Sequence, residues 1–202
     1  MAVVSEMRRL GRRGEALRRA VLDAAIDEIV AGGADAATVL NISRRAGVHE
    51  TSVYRRWQTR ENLILEALLE RSGLDIPAPD TGSLRGDLCE LAGNLFRYLS
   101  EPAGWATLRI TIDTAGASEA LGAFSTAVID VQVEHVDQIV RRAIDRGEAP
   151  AGTDANALAE CLYGAVTMQP LAVRLGSITL TDEEVDERSG ALVDLVLGGV
   201  LR

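Results

Sequence analysis

A chain of 202 residues, 47% hydrophobic and 25% charged, carries enough apolar mass for one extended or two small domains, which excludes a largely disordered polypeptide. Only 3% is aromatic, so the core must be built from Ala, Leu, Val and Ile; with little strand-like alternation this points to helix packed on helix. The net charge of −9 at first argues against a nucleic-acid partner, but it is unevenly spread. Residues 1–72 hold 12 Arg against 10 acidic residues, a balance of +2, and residues 73–202 hold 9 against 20, a balance of −11. No run of about 18 apolar residues occurs, and residues 1–10 lack the apolar segment of a signal peptide, so a cytoplasmic protein without a membrane partner is expected.

In chain order, residues 1–13 read as a basic N-terminal arm without periodicity. Arg12 and Arg13 are its candidates for extra phosphate or minor-groove contact, weighed equally against a solubilising tail. A first helix is predicted over residues 15–31, with Leu22, Ala25, Ile26 and Ile29 on one stripe and Gly32-Gly33 ending it.

Two short helical patterns follow within residues 38–58. Val39, Ile42 and Ala46 mark one, Val53 and Trp57 the other, and Ala46-Gly47-Val48 separates them. Each is too short to stand alone. Glycine enters the left-handed region without steric cost, so Gly47 allows a sharp turn, and two helices meeting across such a turn form a helix-turn-helix. At 100° per residue from Val53, the second helix turns Thr51, Arg55 and Gln58 outward, with Ser52 and Tyr54 on the flanks. Arg can fork onto guanine and Gln onto adenine, the Thr methyl suits a thymine methyl, and Tyr and Ser hydroxyls reach phosphates. Arg44 on the first of the two helices and His49 between them complete the candidate DNA contacts from this pair.

The run Thr38-Val39, Ile42-Ser43, Ala46-Gly47-Val48, Ser52-Val53-Tyr54-Arg55-Arg56-Trp57, then Thr59-Arg60-Glu61-Asn62-Leu63, resembles the DNA-binding signature of the TetR family of bacterial transcriptional regulators. The resemblance implies that Thr38 donates to a phosphate, that Tyr54 contacts the backbone, and that Thr51, Ser52 and Arg55 lie nearest the bases. It also makes Arg60 a phosphate contact at the start of the fourth helix. Two positions depart from the pattern. His49 stands where the family usually has Ser or Thr and is a poorer N-cap, and Glu50 repels phosphate if it faces the duplex.

Thr59 suits the N-cap of a fourth helix reaching residue 72, with Leu63, Ile64, Ala67 and Leu68 inward. Residues 73–82, with Pro77 and Pro79, form the clearest linker. Domain bounds of 14–73 for a three-helix DNA-binding domain with its connecting helix, and 83–202 for a second helical domain, follow. In the second domain helices are predicted from Ser83 to Glu101, Pro102 to Thr114, Glu119 to Arg146, Thr153 or Asp154 toward Leu175, and Asp182 to Leu201. The fold class is all-α, about nine helices.

The last helix carries Leu192, Val193, Leu195, Val196, Leu197, Val200 and Leu201 on nearly every side, so a partner must cover one face. With the preceding helix this predicts a homodimer through four helices, Leu158, Leu162, Ala165, Leu192, Leu195 and Val196 being the interface candidates. A two-fold dimer predicts a near-palindromic double-stranded operator.

Regulators of the family commonly release DNA when a small molecule enters the second domain. Phe96, Trp105, Arg109, Phe124, His135, Tyr163 and Met168 are candidate effector contacts, each weighed against plain core packing. Arg109, one turn from Trp105, has Asp113 or an anionic ligand as alternative partners. Cys89 and Cys161 are expected to be buried, reduced thiols. No cofactor or metal is expected: neither His49 nor His135 has Glu three positions before it, and no nucleophile elbow or phosphate loop occurs. The leading expectation is a homodimeric, ligand-released repressor. The alternative is a DNA-binding regulator answering to a protein partner or acting as an activator, and a helical-bundle enzyme is remote.

Overall fold

The computed structural model describes residues 2–72, 76–113, 119–174, 176 and 180–200, of which 2–13, 199 and 200 are described by backbone alone. Among them are nine α-helices, one 3-10 turn and no strand. The helices are α1 (Ala2–Gly32), α2 (Val39–Ala46), α3 (Glu50–Trp57), α4 (Arg60–Leu69), α5 (Leu84–Ser100), α6 (Pro102–Asp113), α7 (Glu119–Asp145), α8 (Ala155–Arg174) and α9 (Asp182–Val200); the 3-10 turn is Ala34–Ala36.

Most boundaries follow from capping chemistry. Thr38, Thr59 and Ser83 accept from the backbone N–H three residues on, at 3.1 Å each, at the starts of α2, α4 and α5. Before α9, Thr181 Oγ1 accepts from Glu184 N at 3.3 Å while Glu184 accepts from Thr181 N at 2.7 Å, a reciprocal capping box. Gly47 ends α2 at φ 67°, ψ 32°. The first helix departs from expectation: α1 is continuous from Ala2, so the basic arm is helical rather than irregular. Its residues are mostly good helix formers with no proline, and Gly11 and Gly14 do not outweigh them. The phosphate contacts expected of Arg12 and Arg13 lie outside the described side chains.

The chain forms two compact units, residues 1–73 with 102–125 and residues 74–101 with 126–202. This differs from a division at the linker, because α6 and the first turns of α7 belong with α1–α4. The reason is an apolar stripe on α6, Ala103, Ala106 and Ile110, buried in the unit that also holds Val21, Leu22, Ile29, Ile42, Val53, Trp57, Leu63, Ile64 and Leu68.

In the second unit α5 packs on α8 and α9 around Leu84, Leu88, Leu91, Phe96, Val136, Ile139, Leu158, Leu162, Val185 and Val193. A buried carboxylate fastens the linker to this unit. Asp87 Oδ1 accepts from Thr81 N at 2.5 Å and Thr81 Oγ1 at 2.7 Å, while Oδ2 lies 3.7 Å from Arg142 and 3.6 Å from Arg146. Arg142 also donates to the Pro79 carbonyl, and the His135 ring donates to that of Ile76. Burial lowers the His135 pKa below its ordinary value, opposed by that hydrogen bond and by Glu134.

Leu158 and Leu162, expected at a dimer interface, are each 1% exposed and lie in the chain's own core. They sit on the side of α8 turned into that core, so a partner has nothing of them to cover. The stripe that α8 leaves open is Ala157, Cys161, Gly164 and Met168 at i, i+4, i+7 and i+11; on α9 it is Ala191, Leu195 and Gly198. Cys161 is thus exposed rather than buried, while Cys89 is half-buried, and both thiols are free. Ala165, Leu192 and Val196 are partly covered, and Leu195 is 76% exposed.

Candidate nucleic-acid interface

The outward surface of α2 and α3 is built from the inside. Val39, Ile42 and Ser43 of α2 and Val53 and Trp57 of α3 are buried, which fixes the rotation of both helices and turns Arg44, Thr51, Tyr54 and Arg55 out. Between them the chain reverses at Gly47, where Val48 N donates to the Ser43 carbonyl at 3.0 Å. Thr51, Tyr54, Arg55, Arg56 and Gln58 are exposed and Ser52 is half-buried, with Tyr54 at 50%.

His49 takes the N-cap position of α3 with φ −78° and ψ 139°, and its side chain makes no capping hydrogen bond. The first-turn N–H groups of α3 therefore lack the hydroxyl acceptor that Thr38 gives α2. Gln58 ends α3 at φ 61°, ψ −44°, the one non-glycine with positive φ among the described residues. That backbone is held by Gln58 N donating to the Tyr54 carbonyl at 2.9 Å. A side-chain residue in such a conformation is strained, and strain of this kind gathers at functional positions.

The arginines fall into two groups. Arg18 of α1 donates through Nε to Glu66 Oε1 at 2.6 Å and through Nη2 to Glu70 at 2.5 Å, which holds its pKa above the ordinary value. Arg45 donates to Glu28 at 2.6 Å. Arg60 donates through Nε to the Ala37 carbonyl at 2.9 Å and through Nη2 to the Ala34 carbonyl. The guanidinium expected to hold a phosphate is thus largely spent on the protein's own backbone. Arg56 lies over the Trp57 ring, 5.5 Å from its centroid. Arg44 and Arg55, exposed on α2 and α3, have no hydrogen bond or ion pair with other described residues. Thr38 uses its oxygen for the cap and keeps its hydroxyl proton free to donate.

Glu66, not singled out by the sequence, holds this arrangement together. Its Oε2 accepts from Trp57 Nε1 at 2.8 Å while Oε1 takes Arg18, so one α4 carboxylate ties α3 to α1. The partners are 9 and 48 residues away in sequence, and no local pattern signals them.

Residues 21–67 match the model of the tetR family of bacterial regulatory proteins, and residues 78–195 match that of the tetracyclin repressor-like C-terminal domain. The chain belongs to the TetR family. Among its relatives in the family, the HTH-type transcriptional regulator AqdR of Rhodococcus erythropolis is 34% identical over 76% of this chain and 74% of its own. The DNA-binding transcriptional repressor TetR of Mycobacteroides abscessus is 28% identical over 94% of this chain and 96% of its own. Two solved structures share the fold: a TetR transcriptional regulator of Chloroflexus aurantiacus, TM-score 0.74 at 20% identity over 92% of this chain and 96% of that one, and FadR of Bacillus subtilis in complex with stearoyl-CoA, TM-score 0.72 at 15% identity over 90% and 98%. This TetR-family protein is accordingly a DNA-binding transcriptional regulator and not an enzyme. No helix among the described residues is long and apolar enough to cross a membrane, and the described residues contain no metal-holding cluster.

The candidate effector residues are scattered. Phe96 and Phe124 are buried, Trp105 and Tyr163 partly so, and burial raises the Tyr163 hydroxyl pKa. Met168 is 61% exposed on the open stripe of α8, so the chain gives it no enclosing wall. Arg109 donates to the Val30 carbonyl at 3.1 Å and Asp113 accepts from Ala34 N at 3.1 Å; the two charged groups flank Gly33 without forming a salt bridge to one another.

Proposed function

We propose that this TetR-family regulator is a homodimeric repressor that binds a near-palindromic operator and is released by a small-molecule effector. The observation that carries the DNA half is the division of the arginines. Arg18, Arg45 and Arg60 are committed to carboxylates and carbonyls, whereas Arg44 and Arg55 face outward with their donors unclaimed. Arg55, with Thr51 and Gln58, reads base edges; Thr38, Arg44, His49, Ser52 and Tyr54 hold the phosphates, and Arg60 braces the site from within.

The dimer half rests on the open stripes of α8 and α9. An exposed Leu195 and Met168, with Ala157, Gly164, Ala191 and Gly198 small enough for close helix approach, suit a second copy packed as a four-helix seam, with Leu192, Val196 and Ala165 at its margin. Regulators of this fold include one solved with stearoyl-CoA, which supports a small-molecule effector, and we place its site among the helices of the second unit. There Gln169 Oε1 is buried without a hydrogen-bond partner on the same helix as Tyr163. Phe96, His135 and Tyr163 are the proposed contacts in that unit.

The test is a footprint of the protein on DNA upstream of its own gene. Two protected half-sites related by a dyad are expected, with Leu195→Asp giving monomers by light scattering and losing the footprint. A single asymmetric patch, or an L195D variant that remains dimeric, would overturn the reading. Cys161 offers an independent check, since a short bismaleimide should join two subunits across the seam.

A further inference from the structure

We propose that Arg109 and Asp113, on α6, are positioning residues for DNA recognition: together they cap in trans the corner between α1 and α2, and so set the pitch of the reading pair. This rests on α2 and α3 being the DNA-reading helices. The corner is the 30–37 segment, where α1 stops, the 3-10 turn Ala34–Ala36 intervenes, and Thr38 caps α2. It has two sets of backbone groups that local structure leaves open. Val30 carries one of the last carbonyls of α1, which lack intrahelical donors, and Ala34 carries the first N–H of the 3-10 turn.

An N-cap side chain normally answers the second need, but the N-cap here is Gly33, which has none. Asp113 fills the vacancy from 79 residues away, its Oδ2 accepting from Ala34 N at 3.1 Å. Arg109, one turn earlier on α6, donates from Nη1 to the Val30 carbonyl at 3.1 Å. Each charge also matches the end it touches, a cation at the carboxyl end of α1 and an anion at an amino end.

Gly33 is the keyhole that admits both. Its φ of +79° suits glycine, and a Cβ there would stand 2.6 Å from Asp113 Oδ2 and 2.7 Å from Arg109 Nη2. The same corner is held from α4, where Arg60 donates to the carbonyls of Ala34 and Ala37. Asn41 Nδ2 adds a bond to the Ala36 carbonyl at 2.9 Å. α6 and α4 thus grip one short segment from which α2 departs. Nothing in α6 needs to touch DNA to affect it: a loosened corner lets α2, and with it α3, depart from the angle at which Arg44 and Arg55 present together.

Arg109→Met, which keeps the stem, and Asp113→Ala test this, measured by anisotropy titration on the operator and by amide hydrogen exchange without DNA. Each variant should lose on the order of tenfold in operator affinity, the worth of one charge-assisted hydrogen bond, at a temperature where its circular dichroism matches wild type. Exchange should quicken across residues 33–38 while that of α8 stays unchanged. Arg109→Lys, which retains one donor, should recover part of the affinity. Should either harsher variant fail to fold, Asp113→Asn, which keeps an acceptor without the charge, and Arg109→Lys should show the same two effects at smaller size. Affinity within twofold of wild type, or unaltered exchange at 33–38, would overturn the proposal. Because the exchange arm uses no DNA, failure of the clamp is distinguishable from failure of the DNA reading.

Discussion

Removing the Glu66 carboxylate should loosen the reading helix by a calculable amount. Trp57 is 3% exposed, and its indole N–H is answered by Glu66 Oε2 at 2.8 Å. In Glu66→Ala that donor is left in a nearly dry site, which costs about 1–3 kcal/mol. The other oxygen forms a 2.6 Å pair with Arg18, whose partner is about one-third exposed; such a pair is worth about 0.2–1 kcal/mol, and Arg18 keeps Glu70 and Glu15. Together the loss is about 1–4 kcal/mol. For a chain of this size each kcal/mol lowers the melting temperature by about 2–4 °C, so a fall of about 2–16 °C is expected. Glu66→Gln keeps an acceptor for the indole and should lose under about 1 kcal/mol. The assay is urea unfolding of both variants, with the Trp57 indole proton followed by NMR. Equal stability of E66A and E66Q would refute the reasoning, since it would mean that the hydrogen bond to Trp57 contributes nothing.

Further outcomes follow from other parts of the molecule. Gln58→Gly should be neutral to about 1 kcal/mol stabilising, because relief of about 1–2 kcal/mol at positive φ is offset by glycine's unfolded-state entropy; operator selectivity should nevertheless fall, and urea midpoints beside competition binding check both. Asp87→Ala should cost about 1–3 kcal/mol in urea titrations, since it leaves Thr81 N without its acceptor and takes one carboxylate from Arg142 and Arg146, which keep Pro79, Asp80 and Glu148. Stability should fall as pH drops below about 6.5, because unfolded His135 then takes a proton that the folded chain resists. It should fall further in the carboxylate range, where Glu148, Glu184 and Asp194, all held below their ordinary values by partners, must be protonated. Urea midpoints from pH 8 to 5 measure the first slope, and His135→Gln should flatten it.

What could be read from the sequence was local. Stripes such as Val39–Ile42 and Leu63–Ala67, and caps such as Thr38, Gly47, Thr59 and Ser83, act within one turn of a helix, so their spacing survives in the linear order. What could not be read was the long-range polar pairing. Glu66 looks like any helix-surface carboxylate until α4 brings it to Trp57 and Arg18, and Arg60 resembles a phosphate contact until Ala34 and Ala37 turn their carbonyls toward it. Leu158 and Leu162 illustrate a different limit: periodicity tells that one face of α8 is apolar, not whether the covering layer is the chain's own core or another subunit. The place of α6 beside α1 was hidden for the same reason, since a proline-containing linker marks where the chain bends and not which helices it later rejoins.

Unclaimed guanidinium groups on α2 and α3 are proposed to meet DNA while their neighbours hold the fold. Titrating Arg55→Ala and Arg45→Ala side by side on the operator and on an unrelated duplex across a salt series separates the two roles. R55A should lose about 1–3 kcal/mol on the operator and little on the unrelated duplex, while R45A keeps the wild-type preference and salt slope. Equal losses for the two variants on both duplexes would contradict that division of roles.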